Sequence, residues 1–247
     1  MGKFFSDLLF EEQGVFTLFE DKPMVMTLLY YYTKEEMQTF YDALPESVKK
    51  ETQSAVYDYA ENWDKWERTK ELFPIEKYLF AKRCISPDRK LFLGCFVNIA
   101  ETALAIQENY EDFRRVVGTD FHPLQEVLNI GDESSVFWDK VLKNHALQGI
   151  LLGFGKRNAY LFQWMAEGNS EKEEQFIEQS LLYNISDKNP FYGTATVENF
   201  AIPVFRHYAS EENNKLLEKY KQQREKIRSI YKGRDCLEVT LHQLTSS

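Results

Sequence analysis

The chain has 247 residues, 43% hydrophobic and 28% charged, enough to bury about 70–75% of the surface its unfolded form exposes. Its 39 Asp and Glu outnumber 30 Lys and Arg for a net charge of −9, a field that repels polyphosphate and excludes nucleic acid, or an anionic membrane, as a general partner. The apolar runs fall short of the ~18–20 residues that span a bilayer, and no basic segment precedes an apolar one at the start.

The opening "MGKFFS" fits the pattern for acylation of Gly2. A single acyl chain anchors marginally without a basic second signal, and Asp7, Glu11 and Glu12 follow instead, so an unmodified Gly2 is expected. After a short helical opening, "GVFTLF" and "MVMTLLYYYT" are β-branched and aromatic and flank "EDKP", which predicts a hairpin. Thr33 with Glu36 forms a capping box for a helix to about Leu44. Pro45 then suits the first turn of a longer helix, from about Glu46 to Leu72. Val56, Tyr59, Trp63 and Trp66 repeat there at helical spacing; Asp58, Glu61, Asp64 and Glu67 interleave with them, so the stripe reads as a core face and not as a stacking platform for bases.

"KYLFAKRC" and "KLFLGCFVN" around "ISPDR" predict a second hairpin. Pairing Cys84 with Lys90 sets Cys95 opposite Leu79, so the two thiols do not meet. With Cys236 the cysteines are three and widely spaced, which predicts reduced thiols. "IAETALAIQENYEDFRRVV" reads as one helix ended by Gly118, a short helix follows from Leu124 to Leu128, and another behind Asp132 carries Val136, Phe137, Val141, Leu142 and Leu147 inward. Ser170 with Glu173 caps a helix to about Tyr183. "NISDKNPFYGTATVEN" is the longest loop-like stretch, a candidate lid or contact loop. The last strong helix starts after Ser210 and runs to Gly233, with Leu216, Leu217, Tyr220, Ile227 and Ile230 or Tyr231 on one face. From Glu211 to Asp235 there are eight Lys or Arg against five Asp or Glu, a basic surface for an acidic partner or for the protein's own acidic side.

These elements predict a predominantly α (α+β) fold, a helical domain with two short β-hairpins in its N-terminal half. Residues 1–247 are expected as a single compact domain, or as a mixed hairpin and helix half, 1–118, with a helical half, 119–247.

Known chemistries are excluded by spacing. None of His122, His145, His207 and His242 follows a glutamate by three positions, and paired C-x-x-C, H-E-x-x-H and calcium-loop patterns are absent. No G-x-S-x-G elbow occurs. Glu101, Glu108 and Glu111 share a helical face that reads as a solvated acidic stripe. No catalytic residue, metal site or cofactor is assigned, and a triad assembled from distant residues stays open.

"HALQGILLGFGKRNAYLFQW", His145 to Trp164, looks most like a site. Gly149 to Gly155 is one residue too long for a phosphate-binding loop, with Arg157 where the hydroxyl belongs. The dinucleotide pattern fails at Asn158, where a third glycine is required. Gly149 and Gly153, four apart, predict close packing of a second helix. Gly155 then breaks the helix, and a new one from near Asn158 carries Tyr160, Leu161 and Trp164 inward and stops at Gly168. Such a break frees backbone N–H groups beside Lys156 and Arg157 for an anion.

"LQGILLGFGKRNAYLF" and "LLEKYKQQREKIRSIY" together resemble uncharacterised proteins of chlamydia-like obligate intracellular bacteria, over about a quarter of the chain. The resemblance implies a bacterial protein living inside a host cell, leaves export to that host open, and brings no activity or cofactor. Two functions are therefore expected in order: a non-enzymatic, soluble, cytoplasmic protein that binds another protein through its helical surface, or an enzyme or small-ligand or anion binder with a site at His145, Lys156, Arg157 and Asn158.

Overall fold

A computed structural model describes residues 2–43, 57–169, 177–179 and 195–246. The fold is predominantly α with a small amount of β. Helix α1 (Gly2–Ser6) leads through a π-helical turn, Asp7–Glu11, to α2 (Val15–Phe19). Strand β1 (Met24–Tyr30) and helices α3 (Lys34–Ala43) and α4 (Tyr57–Thr69) precede the hairpin of β2 (Tyr78–Cys84) and β3 (Leu91–Asn98). Helices α5 (Ile99–Glu108), α6 (Tyr110–Val117), α7 (Pro123–Leu128), α8 (Val136–Val141), α9 (His145–Leu151) and α10 (Lys156–Trp164) follow. The short strands β4 (Ile177–Gln179) and β5 (Arg206–Tyr208) pair with each other, and α11 (Glu211–Tyr231) and α12 (Cys236–Thr245) complete the described chain.

The first expected hairpin does not form. Val15, Phe16, Thr17 and Leu18 are all buried, and a segment covered on every side carries no alternation to tell a strand from a helix; it folds as α2. Strand β1 finds its partner 61 to 73 residues on, Met24 facing Val97 and Tyr30 facing Leu91, pairing antiparallel with β3 in a sheet ordered β1-β3-β2. The β2–β3 hairpin is as expected, but its register differs by two: Cys84 faces Phe92 and Cys95 faces Ala81. The longer turn is held by Ser86, whose Oγ accepts from the N–H groups of Lys90 and Leu91. All three cysteines are free thiols.

The helix expected from Ile99 to Val117 is two. At Asn109 the backbone leaves helical geometry, and the Asn109 side chain donates back to the Ala105 carbonyl, the competition that makes asparagine poor inside helices. Gly118 ends α6 at φ 83° as its position requires. Helix α8 buries Phe137, Trp138 and Val141, whereas Val136, expected inside, is 64% exposed; Ser135 caps the helix through the Trp138 N–H, so Val136 is its first residue and faces out. The Thr33–Glu36 capping box is reciprocal, at 3.2 and 2.9 Å. Pro45, Val56, Ser170, Glu173 and most of "NISDKNPFYGTATVEN" lie outside the described residues; within the helix expected there, Ile177–Gln179 is strand.

Two apolar clusters hold the fold together. One gathers Phe4, Phe5, Tyr59, Trp63, Trp66 and Phe80 with Phe200, Tyr220, Tyr231 and Leu244; the aromatic stripe of α4 is thus a core face, with Trp63 and Trp66 both fully buried. The other packs Met24, Cys95 and Val97 on one face of the sheet against Ile106, Phe113, Trp138, Leu147 and Ala159. Among the described residues, no helix is long and apolar enough to cross a membrane.

Candidate functional site

Asn144 opens α9 by accepting the Leu147 N–H at 2.9 Å, and Gly153 and Gly155, at φ 76° and 81°, turn the chain back into α10. Gly149 is the contact point of this helix pair: a Cβ there would stand 2.7 Å from the Ala159 Cβ and 3.0 Å from its Cα. The close packing predicted for Gly149 is therefore present. Gly153 is not on that face. It lies past the helix end, where a left-handed conformation admits glycine readily, and its carbonyl accepts the Tyr220 hydroxyl of α11 at 2.6 Å. Helix α10 starts at Lys156, two residues before Asn158, and Tyr160, expected inside, is 38% exposed, its hydroxyl donating to Asp112. Leu161 is buried as expected and Trp164 partly so.

The four expected site residues separate into two pairs. Lys156 is held by the Asp112 carboxylate, which Lys156 and Tyr160 keep below the usual carboxylate range against the effect of its own burial. Arg157 is exposed and pairs with Glu212 at 3.3 Å. Both cations thus lie on the outer side of α10, occupied by carboxylates. His145 and Asn158 instead line a cavity of about 470 Å³ between α9, α10 and the chain entering β5, a size usual for small-molecule sites.

The walls of this cavity are aromatic. Phe154 and Phe205 stack at 5.4 Å and 23°, and the His145 ring meets Phe162 edge-on at 5.5 Å. Asn158 is buried, and both hydrogens of its amide nitrogen are used, toward the Phe154 carbonyl at 2.8 Å and Asn213 Oδ1 at 2.7 Å. Asn213 in turn donates to the Tyr208 carbonyl at 2.8 Å. This chain of amides ties the α9–α10 turn to the junction of β5 and α11, so the floor of the cavity is fixed by satisfied hydrogen bonds. Arg206, exposed at the start of β5, also lines it.

Sequence reasoning missed Phe205 and Arg206, which come from about 50 residues downstream and carry no local motif; Phe154 and Phe162 lie inside the quoted stretch, where no signal distinguishes a cavity-lining aromatic from any other. A larger hollow of about 860 Å³ lies between α1, α11 and α12. Of its charged lining residues, Glu225 and Arg228 pair with each other at 2.8 Å, and none of the expected site residues reaches it. No three His, Cys, Asp or Glu side chains gather as metal ligands among the described residues.

Comparison of the chain with protein-family models, with curated proteins and with solved structures returns no match.

Proposed function

We propose that the protein binds a small molecule in the cavity between α9, α10 and β5. The observation that carries this reading is convergence: His145 and Asn158, singled out from sequence, stand together at a concave aromatic wall whose polar floor is pre-built. Among the described residues, no nucleophile with an adjacent base lines the cavity, and the role proposed is binding. Titration with the neutral fluorophore N-phenyl-1-naphthylamine tests it. Binding is expected, and Val204→Trp, which places an indole on the half-buried lining position Val204, is expected to abolish it while leaving the melting temperature within a few degrees. Absence of binding to the parent protein, or equal binding to the variant, overturns the reading.

A second reading rests on a different observation. Leu104 of α5 and Leu124 and Leu128 of α7 are 43–54% exposed on two helices that pack together, and such a surface supports binding of another protein. The basic helix α11 supports it less, because Lys219 pairs with Asp21 at 2.5 Å and Lys226 with Glu20 at 2.7 Å. Native mass spectrometry of material purified from its own cells reads this out: co-purified partner lost on Leu124→Lys supports it, and a bare monomer counts against it.

A further inference from the structure

We infer that the ligand of this cavity is an amphipathic anion, a carboxylate or comparable acid on a medium-length apolar body, with its charged group at Arg206. The inference rests on the proposed binding role of the cavity and adds the ligand class.

Three observations converge on it. First, charge: in a chain with 39 Asp and Glu, the described residues lining this cavity include none, and among them Arg206 is the one full cation. Second, availability. Lys156 and Arg157 are occupied by Asp112 and Glu212, whereas the Arg206 guanidinium makes no ion pair or hydrogen bond with any described residue, and it projects from a strand whose backbone is fixed by pairing with Gln179. A planar five-donor group held ready at the mouth of an apolar cavity suits a carboxylate. His145, exposed on the first turn of α9, lines the same cavity and adds a ring N–H donor. Third, the interior. Phe154, Phe205 and Leu152 offer an apolar lining, the Asn158 side chain has no N–H left to donate, both being used inside the protein, and the Gln148 amide donates to the Leu142 carbonyl. Donors thus cluster at the mouth and apolar surface within, which orients an acid head outward and its apolar body inward.

Displacement of bound N-phenyl-1-naphthylamine separates this class from the binding role itself. Octanoate and 1-octanol have the same chain length and differ in charge. In the parent protein octanoate is expected to displace the probe at about tenfold lower concentration than octanol, the discrimination a charge-assisted pair supplies. In Arg206→Gln that preference, read as the ratio of the two displacing concentrations and so independent of the probe's own affinity, is expected to vanish, and Arg206→Lys is expected to restore part of it. The exposure of Arg206 makes loss of folding no explanation for the variants, and circular dichroism checks it. Equal displacement by both compounds, displacement by neither, or a preference that survives Arg206→Gln overturns the anion assignment and leaves the cavity a neutral-ligand site. A parent protein that does not take up the fluorophore removes the binding role instead.

Discussion

Lys22 is buried and, among the described residues, its amine finds one backbone acceptor, the Met24 carbonyl at 3.0 Å. Burial pushes its pKa down to about 7, against the opposing pull of the Glu12 carboxylate. Above that value the folded protein holds a neutral amine while the unfolded chain, at the ordinary lysine value, still holds the proton. Between pH 7 and about 10 the unfolded state therefore binds more protons, and stability rises with pH, by at most about 1.4 kcal/mol per unit. Denaturant titrations across pH 7–9.5 are expected to show this slope in the parent and to lose it in Lys22→Met, which should melt no lower than the parent at pH 7. The glycines divide by a similar local argument. Gly149→Ala forces a methyl into the Ala159 backbone and is expected to cost about 1–3 kcal/mol. Gly233→Ala meets nothing within 4 Å and carries only the strain of its φ of 71°, about 1–2 kcal/mol. Thermal melts rank the two. Gly149 was legible from its place in an apolar helix run; the role of Gly153 was not, because the hydroxyl it receives belongs to Tyr220, 67 residues away.

Elements whose boundaries are set by their own side chains could be read directly. Helix α11 starts where Ser210 accepts the Asn213 N–H at 3.2 Å, and the α3 box closes on itself. The same signal stands at Asp235, which accepts the Glu238 N–H at 2.8 Å, yet α12 was left unread because only its own short pattern marks it. Helix α2 was misread since its environment, and not its composition, decides its form. An element can also be fixed from outside. Arg83 of β2 is almost fully buried, donating to the Ile130 carbonyl at 3.3 Å, to the Asp132 carbonyl and to Asp139 Oδ1 at 2.8 Å. It thereby holds the turn between α7 and α8 against the sheet. Arg83→Met strands those carbonyls, and a loss of about 2–4 kcal/mol is expected, with amide exchange quickening first at residues 129–135.

Across the whole molecule the same chemistry predicts thiol behaviour. Cys95 is fully buried, and burial pushes its thiol up to about 12. A thiol-specific reagent is therefore expected to spare Cys95 in the native protein and to label all three cysteines once it is unfolded. The melting temperature should be indifferent to reductant, because no pair is bridged. The fold class, the free thiols and the aromatic core face followed from pattern and spacing. The cavity did not, since it is assembled where β5 meets α9 and α10, a meeting that no stretch of neighbouring residues encodes.

The first apolar cluster joins the two ends of the described chain: Phe10 lies edge-on to Tyr231 at 5.7 Å, and Gln243 donates to the Leu18 carbonyl at 3.2 Å. On a ribosome adding about 5–20 residues per second, Phe10 emerges roughly 10–45 s before Tyr231 exists. Through that interval the phenylalanines of α1 and α2 have only part of their final cover, so the nascent chain presents a sticky leading end that invites chaperones or neighbouring polysomes. Slowing translation should lower the yield of folded protein in a chaperone-depleted extract, and added chaperone should restore it.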